Sequence, residues 1–156
     1  MVYTGHQAYR QNAGNSVISK EQLLLKLYDG SLNFLRLARR GMEENNPRIK
    51  GENISKIIAI MTELDCALDM EAGGEIAENL SALYRHIIYR LVEINVKNEI
   101  KGLDDVEHVL SQIKEGFEEA VKLTREKKEA EAPVQSPVPP PPYGAHEHKE
   151  GMRIAI

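Results

Sequence analysis

The stretch IAENLSALYRHIIYRLVEI, residues 76–94, sets Ile76, Leu80, Leu83, Ile87, Leu91 and Ile94 in steps of three or four. That spacing returns apolar side chains to one side of a 3.6-residue turn, so the segment predicts an amphipathic helix. The same period recurs on both sides of it. Leu24, Tyr28, Leu35, Ala38 and Met42 mark a first helix, and Ile54, Ile57, Ile58, Met61, Leu64 and Leu68 a second. After residues 76–94 as the third, Leu103, Val106, Leu110, Ile113, Phe117 and Ala120 or Val121 mark a fourth.

The punctuation between these runs is chemical. Ser19 with Gln22 forms a capping box, so the first helix starts there and runs to about Glu44. Asn46-Pro47 supplies a cap and a proline at the first helical position, where its missing N–H is not needed. Met70-Glu-Ala-Gly73-Gly74 breaks the pattern before the third helix, and the period lapses again around Lys97 to Gly102. Asp104, Asp105 and Glu107 open the fourth helix and Lys127 and Lys128 close it, each charge at the dipole end it favours.

Of the 7 prolines in 156 residues, all but Pro47 lie at or beyond residue 133. The helical stretch is thus nearly free of the strongest helix breaker, and the fold class is all-α. Four helices of roughly 22 to 26 residues with short connections pack most simply as an antiparallel up-and-down four-helix bundle. The expected organisation is an N-terminal arm over 1–18, the bundle over 19–130 and a disordered Pro-rich tail over 131–156.

Composition excludes more than it names. The formal net charge is −4 and is spread along the chain, so no block neutralises a run of phosphates and no nucleic-acid partner is expected. The lone Cys66 has no disulfide partner, the opening residues lack the apolar core of an export signal, and no run is long enough to span a membrane. A cytoplasmic protein without membrane insertion is the expectation. Asp105 and His108 alone have the acid-x-x-His spacing of a bundle metal site, and His108 points away from the apolar stripe. His86 reads as a boundary residue and His146 and His148 as solvated tail residues. No metal, no cofactor and no enzymatic activity are expected.

What the helices do carry is excess apolar surface. Beside its core stripe the first helix bears Leu23, Leu27, Phe34 and Leu37, and its apolar arc totals roughly 240° where a bundle helix needs somewhat more than 100°. Ala77, Tyr84 and Ile88 lie along the edge of the third stripe, and Tyr89 on its far side. Such surface asks for a cover: the N-terminal arm, a second subunit or a partner helix.

Specific strings then matter. Leu27-Tyr-Asp-Gly-Ser-Leu32, the run from Leu68 to Tyr84 with its Gly73-Gly-Glu-Ile-Ala-Glu-Asn-Leu core, Arg90-Leu-Val-Glu-Ile-Asn95 and the early Ala8-Tyr9 resemble the FliS family of flagellar secretion chaperones. The likeness runs from about residue 3 to about residue 125, and the Pro-rich tail lies outside it. The resemblance implies a cytoplasmic helical bundle that binds the disordered C-terminal segment of flagellin in apolar grooves, keeps it from polymerising early and aids delivery to the flagellar type III export gate. It implies flagellin and an export-gate component as partners, with a co-chaperone or self-association left open. On this reading Tyr9, and Tyr3 beside it, are arm residues for groove or gate. Asp29, Gly30, Glu75, Asn79, Tyr84 and Arg90 are motif positions. Ile57, Met61, Leu64, Ala77, Leu80, Leu83, Tyr84 and Ile88 are the candidate flagellin contacts, with groove and core still undivided among them. The alternative is a homodimeric helical scaffold or adaptor without a client peptide.

Overall fold

The computed structural model describes residues 18–131, which form four helices and, within those residues, no strand. They are α1 (Lys20–Glu43), α2 (Pro47–Cys66), α3 (Met70–Lys97) and α4 (Gly102–Glu131). The arm with Tyr3 and Tyr9, and the tail with His146 and His148, lie outside the described residues.

Local chemistry accounts for the helix ends. Ser19 Oγ accepts from the Gln22 amide and Gln22 Oε1 from the Ser19 amide, both at 3.2 Å, closing the capping box. Asn46 Oδ1 accepts from the Ile49 amide at 3.1 Å, with Pro47 in the first turn. At α3 the structure departs from expectation. Asp69 caps it by accepting from the amides of Glu71 and Ala72, so a helical turn already forms over Met70–Gly73. Gly74, at φ 49°, then kinks the chain, a conformation that costs glycine little and other residues more. The Gly-Gly break is therefore a kink within α3 and not its start.

Each helix packs on two neighbours, α1 on α2 and α4, and α3 on α2 and α4. Asp29 meets Lys114 and Arg39 meets Asp104, while Asp65 meets Ser81 and Lys50 meets Asn95. The core is aliphatic, with Leu35, Ile54, Ile57, Met61, Ile87, Leu91, Ile94, Leu103 and Leu110 almost fully buried. Two phenols interrupt it. Tyr28 of α1 and Tyr84 of α3, on diagonal helices, are buried and hydrogen-bonded hydroxyl to hydroxyl. Tyr28 also packs on Phe117 of α4, ring centroids 5.6 Å apart.

One end of the bundle is closed tightly. A Cβ on Gly41 would lie 2.5 Å from the backbone nitrogen of Lys50, so α1 and α2 touch main chain to side-chain space there. Lys50 Nζ donates to the Asn95 carbonyl and to Asn98 Oδ1, both at 3.1 Å, satisfying the C-terminus of α3. At the same end a Cβ on Gly102 would meet Ile94 Cγ1 at 2.7 Å.

Two outcomes follow for stability. Gly41→Ala forces backbone apart and is expected to lower unfolding free energy by about 3 kcal/mol in urea titration. Burial holds the Tyr28 hydroxyl well above the ordinary tyrosine value of 10.0 and raises that of Tyr84, so the unfolded chain ionises first. This contribution is complete below pH 10 and falls away as pH rises beyond it, so unfolding followed at 222 nm and tyrosinate absorbance at 295 nm should rise together. Tyr84→Phe, which orphans the Tyr28 hydroxyl, should cost about 1–3 kcal/mol, and the double Phe variant less than the two singles combined.

Candidate functional site

Among the described residues, apolar grooves lie toward the end opposite the Gly41–Gly102 contacts. Between α3 and α4 runs a groove of about 370 Å³ whose walls are almost wholly apolar, with Ile76, Leu80 and Leu83 facing Val109, Ile113 and Phe117. A second groove, about 410 Å³, lies over the ends of α1 and α2, lined by Leu23, Leu24, Leu27, Leu64, Ala67 and Leu68. Phe117 lines both, so its half-buried ring is the partition between them. A third, more polar hollow of about 580 Å³ between α1 and α4 has Leu25 and Val121 on its floor and Glu21, Arg125 and Lys128 on its rim.

The rotation of α3 builds the first groove. The buried face carries Ala77, Ser81, Tyr84, Ile87, Leu91 and Ile94, and Ile76 is 73% exposed. Small Ala77 and Ser81 let α3 lie close to α2, where Ser81 Oγ donates to Asp65 Oδ1 at 2.5 Å and Arg85 adds a bond to Asp65 at 3.1 Å. The Ser81 hydroxyl, then Arg85, hold the Asp65 carboxyl below the usual range. With α3 anchored to α2, its Ile76–Leu80–Leu83 edge turns toward α4. The two helices are close around Ile94 and Gly102, and no described residue fills the groove along that edge. Ile76, read only as part of the apolar stripe, lies in a groove wall, and so do Leu80 and Leu83, for which the sequence left groove and core undivided.

The candidate contacts sort by burial. Ile57 and Met61 are fully buried and Ala77 nearly so, whereas Leu64, also largely buried, contributes to the wall of the second groove. Tyr84, expected at the edge, is inside, bonded to Tyr28, and forms part of the floor beneath the second groove. Leu80 is half-buried, Leu83 exposed, and Ile88 half-buried against the core. The motif positions divide too. Asp29 pairs with Lys114 at 2.7 Å, a bond that raises the Lys114 ammonium above its ordinary value. Arg90 bridges Glu93 and Asp105 across the α3–α4 turn. Glu75 and Asn79 are exposed beside the first groove. A Cβ at Gly30 would meet no described atom within 4 Å, so no packing within the bundle demands that glycine.

The α4 wall, with Val109, Gln112, Gly116 and Ala120, was missed in the sequence, where Phe117 and Ala120 read as core. The second groove was announced by the wide arc of α1: Leu23 is exposed and Leu27 half-buried. Among the described residues no three His, Cys, Asp or Glu side chains cluster as metal ligands, and no helix is long and apolar enough to cross a membrane.

Among the described residues the chain is a helical bundle with apolar grooves on its surface, the form of a binding protein. The sequence profile described as "Flagellar protein FliS" matches residues 3–124. The chain is 39% identical over 120 residues to the flagellar secretion chaperone FliS of Salmonella typhimurium, covering 74% of this chain and 89% of that protein. It is 35% identical over 121 residues to that of Escherichia coli K12, covering 75% and 89%. To the flagellar secretion chaperone FliSB of Pseudomonas aeruginosa it is 42% identical over 97 residues, covering 62% and 77%. The chain belongs to the FliS family. The match ends before α4 does, and the Pro-rich extension lies beyond it.

The division between core and groove is testable without any ligand. Met61→Asp buries an unpaired carboxylate and should cost more than about 4 kcal/mol, whereas Leu83→Asp, at a groove wall, should change stability by less than about 1 kcal/mol; thermal melts by circular dichroism separate the two.

Proposed function

We propose that this chain is a cytoplasmic, non-enzymatic export chaperone that binds the disordered C-terminal segment of flagellin, prevents its early polymerisation and aids its delivery to the flagellar type III export gate. The observation that carries this reading is the pair of apolar grooves meeting at Phe117 in a chain of this family. A segment that orders on binding loses about 1–2 kcal/mol of backbone entropy per residue, and only a large apolar surface offsets that.

On this reading Ile76, Leu80 and Leu83 contact one helical stretch of the client and Leu23 and Leu27 another. Ile57, Met61, Leu64, Ala77 and Tyr84 hold the walls from beneath, and Ile88 supports α3 from its other side. Exposed Glu75 and Asn79 offer polar groups to the client backbone, and the arm with Tyr3 and Tyr9 serves groove or gate. The helix pairings support an antiparallel up-and-down bundle over the described residues; on this reading the N-terminal arm and the Pro-rich tail are separate elements. Self-association has one observation of its own: Tyr89, Val92 and Val96 form an exposed apolar stripe on α3 away from the grooves.

Calorimetric titration of the full chain with the C-terminal segment of its cognate flagellin should give saturable binding with a negative heat-capacity change. Leu83→Asp should weaken it by about tenfold or more. Absence of heat together with an unchanged melting temperature would sink the proposal.

A further inference from the structure

We infer that Gly116 determines which segments the α3/α4 groove accepts: its missing side chain admits the backbone of a bound helix that carries a small residue at the contact. The inference rests on the reading above and narrows it to a sequence requirement on the client.

Glycine is, after proline, the poorest residue for a helix interior, and Gly116 sits in the middle of α4. Its cost has no return within the bundle. Its φ is not positive, since Gly74 is the positive-φ glycine among the described residues. Nor does packing require it. A Cβ at Gly41 or Gly102 would collide with a neighbouring helix or turn, whereas a Cβ at Gly116 would meet no described atom within 4 Å. What Gly116 does touch is the groove, whose wall it forms with Val109 and Ile113 opposite Leu80.

A channel walled by the ridges of two helices receives a third helix most closely where one ridge is missing. At Gly116 the α4 ridge is missing. The occupant's backbone therefore approaches α4 there, provided its own facing residue is small; a bulky residue at that point would hold the helix off and leave the apolar walls wet. The ligand class is an amphipathic helix with a glycine, alanine or serine on its apolar face.

Gly51 supplies the control, because it is also helical and also has open space about its Cβ, but lies in α2 near the closed end. Gly51→Leu and Gly116→Leu should both melt at or above the wild-type temperature, since each replaces a poor helix former by a good one. Titrated with the C-terminal flagellin segment, Gly51→Leu should bind as the wild type does and Gly116→Leu at least about tenfold more weakly. Equal binding by a folded Gly116→Leu overturns the inference. A second measurement leaves the protein untouched: replacing the small residues of the peptide by Leu one at a time should reveal a position that abolishes binding, and a scan without one also overturns it. Failure of the wild-type chain to bind the unmodified peptide would instead remove the flagellin reading itself.

Discussion

The bond between the Tyr28 and Tyr84 hydroxyls is the one directional contact across the diagonal of an otherwise aliphatic core. Aliphatic packing is tolerant of small shifts along a helix axis, because one methyl group does much the same for its neighbour as the next. Two buried phenols are not tolerant, since each leaves the other unpaired if it moves by a residue. Their lengths also span a diagonal on which the two backbones do not approach each other. The register of α1 against α3 is thereby set, and Phe117, resting on Tyr28, is held where it separates the two apolar grooves.

From that cross-brace the two ends of the bundle diverge in character. At the closed end, glycines bring main chain against neighbouring residues, and Lys50 ties the C-terminus of α3 to α2. At the open end the walls are Leu, Ile, Val and Phe with little over them. The asymmetry separates two tasks: the tightly packed end carries stability, and the grooved end keeps apolar area on the surface of the described residues. The buried hydroxyls are paired, Ser31 with the Leu27 carbonyl and Ser81 with Asp65, which Arg85 also bonds from the surface.

Much of the fold was legible in the sequence because its signals are local. Ser19 with Gln22, and Asn46 with Pro47, act within one turn of themselves, so their residue types suffice to locate the helix starts. Asp69 is a cap of the same kind, but two glycines four and five residues on obscured it; whether a Gly-Gly pair separates two helices or kinks one depends on what the flanking turns pack against. The stripes of α1, α2 and α4 were read with the right faces inward. On α3 the stripe was displaced toward Ile76 and Leu83, since the small Ala77 and Ser81 carry little hydrophobic weight yet are the residues that fit against α2.

Sequence by itself determined that the chain is helical, where most helices begin, that α1 is too apolar to be satisfied by a bundle alone, and to which family the motifs point. The helical reading follows from propensity, capping and periodicity, each readable within a few residues, whereas the family follows only from the resemblance of specific strings. The tertiary structure alone decided which apolar residues are core and which are groove. Ile57 and Ile76 are the same side chain on the same kind of amphipathic helix, one sealed in and the other 73% exposed. The difference lies in how far the neighbouring helix stands away at that level of the bundle, a distance set jointly by Gly41, Gly102, Ser81 and the Tyr28–Tyr84 bond and by no local pattern.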